Sequence, residues 1–189
     1  HKIRKIVIST GEVTTIAGAE SSGFENGAGT SAIFIYPSGI TIDGNNLYVV
    51  DSNNHMIRMI VISTTFVSTL AGSVTSGFTN RPGPAAQFGS PTGIISDGTN
   101  LYVTDTNNHK IRKIVISTGV VTNLAGSGTA GSADGTGISA SFNKPRGMTI
   151  VGGNRYVVEA SNHKIRKIVI STGVVTTLSG SGSEGSTDN

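Results

Sequence analysis

The sequence contains no cysteine, few charged residues and no long hydrophobic run. Without cysteine the chain has neither disulfides nor thiolate metal ligands, which suits both a reducing compartment and secretion. Charged residues make up 13% of the chain. No apolar segment approaches the roughly 18 residues that a membrane-spanning helix needs, and none shows the period of an amphipathic helix. We therefore expect almost no helix and no membrane insertion.

Glycine is abundant, with 26 residues, whereas proline accounts for only 5. This balance is typical of tight turns between short strands. With 189 residues and a hydrophobic fraction of 36%, the chain can also bury a core. The composition therefore favours a folded β protein over a disordered chain.

One sequence unit recurs along the whole chain with a period of 54 residues. The segment 1–10 returns almost unchanged at 109–118 and 163–172, and a looser copy begins at His55. The chain starts inside a repeat and lacks an initiator methionine, so we expect it to be part of a longer protein. A fixed period of this size indicates a repeat architecture.

Each repeat contains four short apolar segments separated by turn signals. In the middle copy, strands A to D are predicted at 93–96, 101–104, 111–116 and 120–124, rich in β-branched residues. Four consecutive antiparallel strands followed by a long Gly/Ser-rich connection are typical of a β-propeller blade. We therefore predict an all-β propeller segment with a half blade at 1–38 and four-stranded blades at about 39–92, 93–146 and 147–189.

Each long connection ends with phenylalanine, then proline, then glycine. The three sets are Phe34, Pro37 and Gly39; Phe88, Pro91 and Gly93; and Phe142, Pro145 and Gly147. We expect the phenylalanine to pack between blades. The proline and glycine are expected to set the start of the inner strand in the crowded centre.

An Asn-His pair follows strand B in every repeat, as Asn54-His55, Asn108-His109 and Asn162-His163. The segment 101–113, Leu-Tyr-Val-Thr-Asp-Thr-Asn-Asn-His-Lys-Ile-Arg-Lys, resembles the core of an NHL repeat. The resemblance implies a propeller of NHL type. Its near-identical copies resemble prokaryotic, often secreted arrays, which implies an extracellular or periplasmic location.

The repeated histidines are expected to serve the fold, because a residue present in every blade is more often structural than catalytic. An acidic residue lies four positions before each full-copy histidine, and we expect its carboxylate or a backbone carbonyl to hold the imidazole. The predicted structural motif comprises Asp51, Asn54, His55, Asp105, Asn108, His109, Glu159, Asn162 and His163. We assign no catalytic, cofactor-binding or metal-binding residue.

The alternative function is a metal-dependent hydrolase or lyase. Propellers that resemble this one include lactonases and an amidating lyase, which gather acidic and histidine ligands around a central channel. Every histidine of this chain occupies the repeat position, and Asp134 and Glu184 lie among Gly and Ser. No acidic pair is spaced for general acid–base work.

The net charge of +3 and the pI near 9.3 raise the question of nucleic-acid binding. Ten of the 14 basic residues belong to strand C, which would spread them around a solvated rim. The long connections hold five acidic against three basic residues. We therefore expect no specific nucleic-acid partner.

Departures from the repeat indicate a possible contact surface formed by Met56, Met59, Phe66 and Arg155. Met56 and Met59 replace lysines, and Arg155 replaces a strand B leucine. Neutral drift at the rim and an apolar contact with another chain both explain the second-copy changes. Arg155 is expected to face a partner or a wet channel.

We predict a non-catalytic platform for protein or glycan contact that needs no cofactor. An open ring of three and a half blades would expose an apolar flank at each end. We therefore expect self-association through the open propeller ends.

Overall fold

The computed structural model describes residues 1–185 and is built from antiparallel β-sheets. The half blade contains β1 (Ile3–Ile6) and β2 (Val13–Ala17). The first full blade contains β4 (Pro37–Asp43), β5 (Asn46–Asp51), β6 (Met56–Val61) and β7 (Phe66–Gly72). The second contains β8 (Ile94–Ser96), β9 (Asn100–Asp105), β10 (Lys110–Val115) and β11 (Val121–Ala125). The third contains β13 (Pro145–Val151), β14 (Asn154–Glu159), β15 (Lys164–Val169) and β16 (Val174–Ser179).

The described helices are five 3-10 turns of three residues each, so the expectation of almost no helix is confirmed. They span Gly29–Ser31, Ser52–Asn54, Gly83–Ala85, Thr106–Asn108 and Gly137–Ser139. None of the helices within residues 1–185 is long and apolar enough to cross a membrane. In the middle blade the observed strand ends lie within one residue of the predicted ones. The all-β prediction with four-stranded antiparallel blades is confirmed.

The long connections make the repeat longer than its four strands and their tight turns alone require. The short strands β3 (Gly27–Ala28) and β12 (Gly135–Thr136) pair with the outer strands β7 and β16 of the blades that follow them. In the middle blade Pro82, which lacks an N–H, makes only an isolated bridge to Val120. Each connection therefore continues the outer edge of the next blade.

The hydrophobic core consists of three clusters, one at each junction between consecutive blades. Phe34, Phe88 and Phe142 are fully buried, one in each cluster, which confirms that the phenylalanine packs between blades. The inner strands approach closely: a Cβ added at Gly39 would meet the Thr92 carbonyl oxygen at 2.5 Å. The glycine is therefore required where neighbouring inner strands touch.

Candidate binding site

A buried ion pair occupies the same place in every full blade. In the middle blade, Arg112 Nη1 donates to Asp105 Oδ2 at 2.7 Å, and both side chains are fully buried. The Asn108 amide donates to the same oxygen at 2.9 Å, and the Gly89 N–H donates to Oδ1 at 2.6 Å. Burial raises the pKa of Asp105, and these donors oppose that shift. The equivalent groups are Arg58 with Asp51 and Asn54, and Arg166 with Glu159 and Asn162.

The same arginine also fixes the long connection that precedes its blade. Arg112 donates to the Gln87 carbonyl at 3.1 Å, the Thr79 carbonyl at 3.3 Å and Asn80 Oδ1 at 2.6 Å. Its guanidinium carbon lies 5.1 Å from the centroid of the Phe88 ring. One buried cation therefore joins strands B and C to the loop that passes over them.

The expectation that the strand C basic residues lie on a solvated rim is wrong for Arg58, Arg112 and Arg166. All three side chains are fully buried. A buried guanidinium needs an ionic partner and several acceptors, and the acidic residue seven positions earlier supplies the ionic partner. The sequence does carry this signal, because an acidic residue precedes each buried arginine at that fixed spacing.

His55 and His109 accept a hydrogen bond from a backbone amide and are held by neither a carboxylate nor a backbone carbonyl, so that expectation is wrong for these two. His Nδ1 accepts a hydrogen bond from an N–H 35 residues later, which places the neutral ring's proton on Nε2. The bond recurs between His1 and Tyr36 at 3.0 Å, His55 and Ser90 at 2.9 Å, and His109 and Lys144 at 3.1 Å. Each of these three imidazoles therefore positions one residue of the next repeat.

These three positioned residues share an unusual backbone conformation but differ in side chain. Tyr36, Ser90 and Lys144 have φ values of 57°, 45° and 49°, in the left-handed region that non-glycine residues rarely adopt. Strained backbone of this kind persists only where its surroundings fix it, and it concentrates at functional sites. The histidine thus fixes the backbone of a residue whose side chain varies from blade to blade.

A cavity of about 590 Å³ lies beside these positions, where the inner strands of the three full blades meet. Hydroxyl groups from two blades line part of it, beside the apolar side chains of Ile40, Ile94 and Met148. Ser38 pairs with Ser52 at 2.6 Å, and Thr92 pairs with Thr106 at 2.8 Å. These hydroxyls are therefore already satisfied, and we call this space the axial cavity.

Four polar side chains around the axial cavity are free to bind a ligand. They belong to Tyr36, Asn53, Asn107 and Arg146. Within residues 1–185 none of the four makes a side-chain hydrogen bond, and all four residues are exposed. We call the face of the propeller that carries these four residues, together with Ser90 and Lys144, the loop face.

Comparison with known proteins agrees with this architecture. The NHL repeat family model matches residues 34–58, which contain the first full Asn-His pair and Arg58. NHL repeat-containing protein 2 of Homo sapiens is 34% identical over 134 residues, 65% of this chain. The chain is built from NHL repeats. Protein SUPPRESSOR OF QUENCHING 1, chloroplastic, of Arabidopsis thaliana is 33% identical over 74% of this chain. The chain spans only 18% and 14% of the lengths of these two relatives.

Solved structures show the fold of these NHL repeats. An auxiliary nutrient binding protein of Bacteroides thetaiotaomicron matches with a TM-score of 0.72 and 23% identity, over 93% of this chain and 43% of that one. Virginiamycin B lyase of Staphylococcus aureus matches with a TM-score of 0.60 and 20% identity, over 93% and 47%. At these identities the likeness establishes the β-propeller fold alone.

Arg155, expected to face a partner or a wet channel, instead joins the last two NHL blades. Its Nη2 donates to Asp97 Oδ2 at 2.8 Å, and its guanidinium carbon lies 4.1 Å from the Tyr102 ring centroid. The Tyr102 hydroxyl donates to the same Asp97 oxygen at 2.7 Å. Burial raises the pKa of Asp97. The hydrogen bond from Tyr102, backbone N–H donors and the charge of Arg155 outweigh burial, so the pKa lies below its ordinary value. At the preceding junction Leu101 occupies the place of Arg155 and packs in a cluster with Tyr48.

The structure also corrects the predicted contact surface at Met56, which is buried, with the Thr69 hydroxyl 3.8 Å from its sulfur. Met59 is half-buried and packs against the junction core, so a contact role for Met59 stays a prediction. Phe66 is exposed at the outer edge of its blade, so a contact role for Phe66 stays a prediction.

Replacing Asp97 with alanine is expected to lower the free energy of unfolding by about 2–3 kcal/mol, because it leaves the Arg155 guanidinium buried without its partner. The matched variant Arg155→Leu reproduces the preceding junction and should change stability by less than about 1 kcal/mol. Urea unfolding followed by circular dichroism measures both. Equal losses in the two variants would contradict this account.

Stability is expected to fall as the pH drops below about 6.5, because burial lowers the pKa of His55 and His109. Because the pKa of these histidines is lower in the folded chain than in the unfolded chain, the unfolded chain binds protons at a higher pH. The stability that the neutral histidines contribute is therefore fully present above the unfolded pKa and is lost as the pH falls toward the folded pKa. His109→Gln supplies an amide oxygen that can accept the Lys144 N–H without titrating, so it should flatten the slope between pH 7.5 and 6. Urea unfolding at pH 7.5 and pH 6 measures the slope, and a His109→Gln variant with the slope of the unsubstituted chain would contradict this account.

Proposed function

We propose that this NHL segment is a non-catalytic platform that binds a protein or glycan on its loop face. The observation that carries the proposal is the contrast between engaged and free side chains. The repeated Arg, Asp or Glu, and Asn side chains are used inside the blades. Tyr36, Asn53, Asn107 and Arg146, which differ between copies or face solvent, surround the axial cavity unpaired among the described residues.

We further propose that the platform works as part of a longer or oligomeric propeller outside the cytoplasm. The likeness to auxiliary nutrient binding proteins from Bacteroides thetaiotaomicron and Bacteroides ovatus supports this placement. The small share of the curated relatives that the chain spans supports a larger assembly. Specific nucleic-acid binding is not part of the proposal, because three of the strand C cations are buried and cannot reach phosphates.

Site-directed photocrosslinking tests the platform. A benzophenone amino acid placed at Tyr36 or Asn107 should capture a partner from an extract of the source organism. The same group at Lys5, an exposed rim residue, should capture little. Equal capture at the rim, or none on the loop face, would contradict the proposal.

A lyase is the second candidate, favoured by the likeness to virginiamycin B lyase. Within residues 1–185 no three His, Asp or Glu residues lie together in a group able to hold a metal. A structure of catalytically inactive virginiamycin B lyase contains quinupristin, so incubation with quinupristin and a divalent metal ion, with and without a chelator, tests this candidate directly. Chelator-sensitive consumption of quinupristin would replace the platform with an enzyme.

A further inference from the structure

Hydrogen bonds fix the backbone that carries the free polar side chains of the axial cavity, and any ligand inferred for this cavity rests on the proposed platform. The Asn53 N–H donates to the Ile35 carbonyl at 3.2 Å, and the Asn107 N–H donates to the Gly89 carbonyl at 2.9 Å. The Tyr36 backbone is fixed by His1. Binding through side chains on a fixed backbone loses less conformational entropy than binding through a mobile loop.

The electrostatics of the axial cavity favour an anion. Arg146 lines it, Lys144 lies two residues away, and no carboxylate is among its described lining residues. None of the described acidic residues of the long connections lines this cavity, and Glu20 and Asp134 instead pair with Lys2 and Arg166. A guanidinium with free donors recognises a carboxylate through two parallel hydrogen bonds.

A second cavity, of about 280 Å³, adjoins the axial cavity through Asn107, which lines both. The Phe78 ring lines this second space and is 67% exposed. The Lys110 ammonium, also in the lining, donates to two loop carbonyls at 3.2 Å each, which leaves one N–H free. We call these two cavities together the groove. Each part contains an aromatic ring and a cation, Tyr36 and Arg146 in one and Phe78 and Lys110 in the other.

We propose that this groove binds an acidic oligosaccharide of at least two sugar units. Arg146 pairs with a uronate carboxylate. Asn53 and Asn107 have amides that both donate and accept, as sugar hydroxyls do. Tyr36 and Phe78 offer exposed aromatic faces to the apolar faces of the sugar rings. A peptide is the less suitable occupant, because both aromatic rings are open to solvent and do not form an enclosed apolar pocket for a side chain.

Calorimetric titration with trimers of galacturonate, glucuronate and mannuronate tests the groove at an ionic strength of about 0.15 M, so that surface charges are screened. At least one trimer should bind with Kd below about 1 mM. Its methyl ester, which keeps the hydroxyls and loses the charge, should bind at least about tenfold more weakly. Arg146→Gln should produce a similar loss.

Further variants separate the two parts of the groove. Phe78→Ala should weaken the trimer and leave the binding of the matching uronate monosaccharide unchanged. Arg81→Gln, which removes an exposed arginine outside both cavities, is the matched control and should have no effect.

Three results would overturn the proposal: no binding of any trimer at 10 mM or so, equal binding of the methyl ester, or equally tight binding of triglutamate. If the trimers fail while crosslinking at Tyr36 or Asn107 captures a protein, the oligosaccharide is wrong and the platform stands. If loop-face crosslinking also fails, the platform is wrong as well.

Discussion

Replacing Arg112 with methionine is expected to lower the free energy of unfolding by about 3–5 kcal/mol, because it leaves Asp105 buried without its cation. The loss should extend to the connection, since the same guanidinium holds the carbonyls of Thr79 and Gln87 and the side chain of Asn80. A domain with a total stability of about 5–15 kcal/mol would be close to unfolding. Urea denaturation followed by circular dichroism or tyrosine fluorescence measures the change.

Lys113→Met, one residue along the same strand, is the matched control and should change stability by less than about 0.5 kcal/mol. The double variant Arg112→Met with Asp105→Leu should recover part of the loss, because an apolar pair no longer contains an uncompensated charge. Recovery stays partial, since Asn108 and the Gly89 N–H lose their acceptor. If Arg112→Met is as mild as Lys113→Met, the ion pair is not what holds the connection.

The 189-residue chain is expected to self-associate through its two end blades. On the C-terminal flank Val158 and Ile165 are 48% and 39% exposed, whereas their equivalents Val50 and Ile57 are fully buried. On the N-terminal flank Ile6 is 63% exposed, against 0% for its equivalent Ile60. Apolar faces that an interior blade buries tend to associate when they are left open.

Sedimentation or light scattering at high micromolar concentration measures this association. Ile165→Lys and Ile6→Lys should each shift the chain toward monomer. Ile138→Lys, which charges an exposed isoleucine of a connection, should leave the assembly unchanged. A stable, cooperatively folding monomer at these concentrations would show that the flanks do not drive association.

The charge variants also address whether the partner of the open flanks is another NHL blade. An interior junction buries valine, isoleucine and leucine from one blade against phenylalanine and aliphatic side chains from the next. The C-terminal flank presents Val158 and Ile165 at the positions of Val50 and Ile57, and the N-terminal flank presents Ile6 at the position of Ile114. Association that survives charged substitution on both flanks would place the contact elsewhere on the molecule.

The sequence alone determined the strands, the turns and the propeller fold of this protein. These features depend on local preferences, because β-branched segments, glycine-containing turns and a constant period together predict one kind of blade. The phenylalanine of each connection was also predictable, because a large apolar residue at a fixed place in each repeat has to be buried between neighbours. The blade boundaries predicted after residues 38, 92 and 146 stay a prediction.

Only the tertiary structure decided what the polar residues do. Arg58 is buried because its donors reach Asp51 seven residues before it and the carbonyls of Glu25 and Ile33, which lie 33 and 25 residues before it. His109 meets its partner 35 residues later, on the next repeat. Sequence spacing suggests the nearest carboxylate as the partner of a histidine, but a β-propeller brings consecutive connections and blades together in space. Polar groups pair with the groups that packing places beside them, and the assembly of the blades decides which groups those are.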